Sequence, residues 1–202
     1  MWSRINAETQ LDTLDQHFAH MPYLLGARAS LADFALMGPI HGHLNRDPRS
    51  VKVLIEPRPH LHAWLQRMSS RDSAGGDFLD HDQLPEDLQP LLDSLFRELI
   101  PYLQQCVQSL AQLAPQSASD PRYPRFGPRV EIPFGDGRIR RIVVPYTLWM
   151  LQRLLDEFAR MPAADALRAR NWLEANDAGQ LLDLQFPRVR RVGLHIAAEI
   201  AQ

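Results

Sequence analysis

The chain has 202 residues, 45% of them hydrophobic and 23% charged, with a formal net charge of −2, the profile of a folded globular protein rather than a disordered one. No run approaches the roughly 18 uninterrupted apolar residues of a membrane-spanning helix, and the near-neutral balance gives no general attraction to nucleic acid. The single cysteine, Cys106, excludes an intrachain disulfide and, with no secretory pattern in the opening MWSRINAETQ, sets the expectation of a cytoplasmic protein with no membrane partner. Lys52 is the only lysine among many arginines, which together with abundant Ala, Leu and Pro suggests a bacterial source.

In chain order, Leu11, Leu14, Phe18 and Met21 recur at three- and four-residue steps, predicting an amphipathic helix from Trp2 to about His20 that ends near Pro22. A second helix is expected from Ser30 to about Leu44, with Pro39 kinking it beside Gly38 and Asp47-Pro48 closing it. A third follows Pro59, carrying Leu61, Trp64, Leu65 and Met68 on one stripe. The polar run Ser69 to Gly76 then reads as a domain boundary, giving domains at 1–70 and 77–202. Beyond it, Leu84 to Leu113 has a long leucine period interrupted by Pro101. Two partly alternating runs flank Gly135-Asp136-Gly137 and predict one small β-hairpin near 129–144. Helical periods return from Thr147, after Pro162 with Leu167, Trp172 and Leu173 as its apolar side, around Leu181 to Leu184, and as a short helix in the Val192 to Ile200 tail.

The most specific stretch is PYLLGARASLADFAL, Pro22 to Leu36. Ser30 is placed to accept from the amide of Asp33 while the Asp33 carboxylate reaches back to the amide of Ser30, a capping box with Asp in the acidic position. Tyr23, Leu24, Gly26, Ser30, Ala32 and Asp33, followed by Arg46-Asp47-Pro48 and PHLHAWLQRM (Pro59 to Met68), resemble the C-terminal helical domain of the glutathione S-transferase superfamily over about the first third of the chain. The resemblance implies an all-α fold, a glutathione-transferase C-terminal-like bundle, with a helical extension packing on it from residue 77 and at most one small hairpin. It carries over Ser30 and Asp33 as a structural helix cap and no catalytic residue. The family's thioredoxin-like, glutathione-binding domain and the first long helix of its C-terminal domain are not recognisable in this sequence. No cofactor is therefore expected in this chain, and glutathione only if a thioredoxin-like domain joins it from upstream or in trans.

The remaining constellations read blandly. His41 and His43, and His60 and His62, are two residues apart, which on a helix separates the side chains by about 200° and disfavours a shared metal; no metal site is expected. The acidic run Asp77, Asp80, Asp82, Glu86 and Asp87 lacks the calcium-loop spacing. Cys106 lies on the apolar stripe and reads as a core thiol. Arg122, Arg125, Arg129, Arg138, Arg140 and Arg141, interleaved with Tyr123, Phe126, Phe134 and Tyr146, offer an anion site, set against arginines that face the acidic run from Asp77 to Glu98 or water. Three functions follow: a glutathione-transferase-like helical half supplying the hydrophobic-substrate side and inactive alone, a non-catalytic helical interaction or ligand-holding module, and, least favoured, a nucleic-acid or anion binder. Trp2 and Ile5, beyond the first helix's stripe, call for cover from the later region or from a homodimer partner.

Overall fold

The computed structural model describes residues 2–70, 75–113 and 120–199. The chain divides into two compact units at Leu92–Asp93. Helices dominate both, as the sequence predicts, and among the described residues the only sheets are two antiparallel hairpins.

The first unit contains α1 (Trp2–Phe18), α2 (Leu31–Pro39), α3 (Pro48–Ser50), α4 (Pro59–Ser69) and the start of α5 (Gln89–Gln112). Pro39 has no amide to give the helix, yet α2 does not break there. The Ile40 amide reaches the Leu36 and Met37 carbonyls, and the chain widens into a π-helical turn over Ile40–Leu44. The helical path continues past Pro39 with a wider turn. Asp47-Pro48, read in the sequence as a stop, is also a start: Asp47 Oδ1 accepts from the amides of Arg49 at 2.8 Å and Ser50 at 3.1 Å, and proline fits the first helical position because its missing amide is not needed there. A second π-helical turn, Val51–Ile55, follows.

Arg58 precedes α4 without a side-chain cap. The cap comes instead from α1, where Asp15 Oδ1 accepts from the His60 and Leu61 amides at 2.8 and 2.9 Å. One carboxylate thereby fixes the approach of α1 to α4. The core between them holds Leu11, Leu14, Phe18, Leu61, Trp64 and Leu65, with the Phe18 and Trp64 rings stacked at 4.9 Å and 9°. The side chains of Trp2 and Ile5 lie outside the described ones.

The sequence expectation placed a boundary at Ser69 to Gly76. Residues 71–74 of that run are outside the described part, and the chain after it still pairs with the first unit. Ala27 N donates to Asp77 O at 2.9 Å and Leu79 N to Leu25 O at 3.0 Å. Gly26 makes this approach: its φ is +129°, and a Cβ there would meet the Asp77 carbonyl oxygen at 2.7 Å. The 3₁₀ turn Glu86–Leu88 then leads into α5, and Leu88 joins the same core.

The second unit is built from the rest of α5, a hairpin of β1 (Arg129–Phe134) and β2 (Gly137–Ile142), α6 (Pro145–Arg160), α7 (Ala163–Ala175) and a hairpin of β3 (Val189–Val192) and β4 (His195–Ala198). The first hairpin falls where the sequence places it, turning at Gly135-Asp136 with Gly135 at φ +56°. α5 runs through Pro101 as a single helix. The tail from Val192 is a strand rather than the expected helix. Gly193 at φ +61° turns it, and β4 finds partners across the chain: with β3 on one side, and with Tyr123 N donating to Ile196 O and Ala198 N to Pro121 O on the other. α7 buries no residue completely, and Leu167, expected on its apolar side, is mostly exposed. Leu181 and Leu182 lie in a 3₁₀ turn, Gly179–Asp183, rather than an α-helix, and Leu184 follows it in extended conformation.

Candidate functional site

Leu24, Ser30 and Trp64 of the sequence motif meet at one carboxylate. Asp33, at 0% exposure, accepts on Oδ2 from the Ser30 amide at 2.8 Å and the Ser30 hydroxyl at 2.6 Å. Its Oδ1 accepts from the Leu24 amide and from the Trp64 indole Nε1, both at 3.0 Å. The Asp33 amide donates back to Ser30 Oγ at 3.3 Å, completing the capping box. The Asp33 side chain therefore ties the loop at Leu24, the cap of α2 and the middle of α4 to one point. Four donors on one carboxylate satisfy it fully, as burial requires.

A second tie runs alongside. The Arg67 guanidinium donates to the Pro22 carbonyl from Nε at 3.3 Å and Nη2 at 2.9 Å, with its carbon 5.9 Å from the centre of the buried Tyr23 ring. Arg58, nearly buried, pairs with Asp12 at 2.7 Å and donates to the carbonyls of Leu54 and Glu8. Together these contacts tie α1, the loop at Pro22–Leu24, α2 and α4 to one another.

Cys106 is completely buried in the second unit, and burial pushes its thiol pKa up, the opposite of a nucleophile's environment. His41 and His43 lie in the π-helical turn, and His60 and His62 are exposed on α4. Neither pair belongs to a group of converging metal-type ligands among the described residues. In the arginine-rich stretch, Arg122 pairs with Asp120 through two 2.7 Å bonds, which hold the Asp120 carboxyl at a pKa of about 2. Arg138 pairs with Glu131 across the hairpin, and Tyr123 is buried.

The cluster that sequence reading missed lies at the end of α1. His17 is completely buried; its Nδ1 faces both carboxylate oxygens of Asp87, at 3.2 and 3.0 Å, and its Nε2 lies 3.2 Å from the Tyr23 carbonyl. His20 places Nε2 3.0 Å from the same Asp87 Oδ2. The His17-to-His20 step of three was the available signal, since it brings two side chains to one helix face. Asp87 is 70 residues away from His17, and only the fold brings it there.

The Asp33 lattice thus joins a loop, a capped helix and a tryptophan from a later helix. The family model described as Glutathione S-transferase, C-terminal domain, matches residues 5–72, and this segment belongs to that domain family. Glutathione S-transferase F14 of Arabidopsis thaliana is 38% identical over 61 residues, covering 30% of this chain and 24% of the relative. The chain thus spans about a quarter of the length of the curated relative it matches. No solved structure matches.

Proposed function

We propose that residues 5–72 serve as the apolar, electrophile-facing half of a glutathione transferase, with the glutathione-binding half supplied by a thioredoxin-like segment or chain outside residues 1–202. The observation that carries the reading is the family match on a segment in which Leu24, Ser30 and Trp64 of the motif all bond to the buried Asp33. One further feature supports it. On α2, Leu31 at 86% and Phe34 at 61% exposure stand one turn apart, an apolar surface fitted to a hydrophobic electrophile or to a neighbouring domain.

The test mixes the purified chain with glutathione and a chlorinated dinitrobenzene, and in parallel with a fluorescent hydrophobic dye. Dye binding weakened by Leu31→Ser/Phe34→Ser, together with no conjugation above background, is the expected result. Saturable turnover by the chain alone, or dye binding indifferent to the two substitutions, would overturn the reading.

A further inference from the structure

We infer that His17, His20 and Asp87 form a binding site for a divalent late first-row metal ion, of the two-histidine, one-carboxylate kind. This does not rest on the transferase reading. The argument begins with the His17 ring. A carbonyl oxygen only accepts, so the 3.2 Å approach of Nε2 to Tyr23 O places the ring proton on Nε2. In the neutral ring, Nδ1 then carries a lone pair, aimed at both oxygens of the Asp87 carboxylate. A lone pair facing a carboxylate at 3.0 Å is repulsive unless a cation sits among the groups. His20 brings a second imidazole nitrogen to the same oxygen, and the three ligand atoms lie within 4.8 Å of one another.

That arrangement matches the chemistry of a metal site on several points. Two imidazoles and a carboxylate are the donor set that zinc and non-haem iron take in sites with open positions. A histidine ligand ordinarily donates its other ring N–H to a backbone carbonyl, which fixes the tautomer, and His17 does this with Tyr23. Side-chain exposure of 60% at His20 and 32% at Asp87 leaves an entry path and room for water as the remaining ligands. His17 and His20 span the end of α1, where the His20 and Met21 amides both donate to the His17 carbonyl, so the backbone under the two rings is hydrogen-bonded. Asp87 sits in the 3₁₀ turn before α5. An ion here would link the end of α1 to that turn within the first unit.

The experiment uses the full chain, treated with a chelator and then titrated with Zn2+ against a chromophoric competitor. The expected result is one Zn2+ per chain, with His20→Ala and Asp87→Asn each weakening it by roughly tenfold or more. The exposed His60→Ala/His62→Ala pair leaves it unchanged. Because His20 is largely exposed, its variant keeps the fold, which circular dichroism checks. Co2+ in place of Zn2+ should give visible d–d bands that His20→Ala abolishes. If Zn2+ fails to saturate, or if His20→Ala and Asp87→Asn bind it as the parent does, the cation shared by the three groups is a proton and the metal site is refuted.

Discussion

The two units bury polar side chains of different kinds. Among the described residues the first unit buries His17, Asp33 and Arg58 besides Ser30, three side chains able to carry charge, whereas the second buries Ser109 and Gln152, both neutral. A buried carboxylate is costly unless each of its donors is in place. The residues around Asp33 are therefore constrained in type and in spacing, and such constraints show in a sequence. The second unit relies on Leu103, Leu110, Ile132, Leu148 and Leu151, apolar residues that can be exchanged at constant volume for modest cost. This difference explains why a family pattern is legible in residues 5–72.

Removing the hub is the harshest way to probe the contrast. Asp33→Ala strands the Leu24 amide, both Ser30 donors and the Trp64 indole, so a loss of roughly 3–5 kcal/mol is expected, from several buried donors left without acceptors. Ser30→Ala, which removes the cap and leaves Asp33 with its other partners, should cost about 1 kcal/mol. Equal shifts of the denaturant midpoint in the two variants would mean that Asp33 acts as a cap alone. Capping by itself would predict about the same cost for both, and the two bonds beyond the capping pair that Ser30→Ala leaves intact, from the Leu24 amide and the Trp64 indole, separate them.

The second unit offers a smaller counterpart in Gln152. Its amide bridges the α6 helix to β3, donating to Val189 O at 2.9 Å and accepting from Val189 N at 2.8 Å. Gln152→Ala should cost about 2 kcal/mol by leaving both backbone groups of a buried residue unpaired. Thermal melts followed by near-ultraviolet dichroism at Trp149 on the same helix would show it. A melt identical to the parent's would place the weight of that hairpin on apolar packing.

Several features were readable before the fold was known. The capping pair, the Leu11–Leu14–Phe18 face, the Trp64 stripe and the hairpin around Gly135-Asp136 all rest on short-range spacing. Asp33 as a four-donor hub was not readable, because Trp64 is 31 residues from it and no local rule joins an indole to a distant cap. The His17–His20–Asp87 cluster failed for the same reason, although its i,i+3 half was in view. In the tail, Ile196, Ala197 and Ala198 suggest a helix. Gly193 with Leu194 instead makes a tight turn, leaving Leu194 92% exposed, and pairing with residues 121–123 decides the outcome. Tertiary partners override weak local preference there.

The smallest expected effect concerns exposed ion pairs in the second unit. Arg122 holds Asp120 at a pKa of about 2, and Arg188, through two bonds of 2.8 and 2.9 Å, lowers Asp156 below the usual carboxylate range. Because the folded pKa values lie below the unfolded value of about 3.9, their stabilisation is present above that pH and is lost as pH falls toward about 2. Solvent screening keeps it slight. Melting temperature between about pH 4 and pH 2 should therefore fall a little less steeply in Arg122→Gln/Arg188→Gln than in the parent. An identical slope would show that the pairs contribute nothing measurable.

The most direct test of the contrast is segment-resolved amide hydrogen exchange on Asp33→Ala. The expected result is lost protection in α1, α2 and α4, where the Asp33 lattice and its core lie, with the β1–β2 and β3–β4 hairpins protected as in the parent. Loss spread equally over both hairpins and the first unit would contradict the claim that one buried carboxylate organises residues 5–72 in particular.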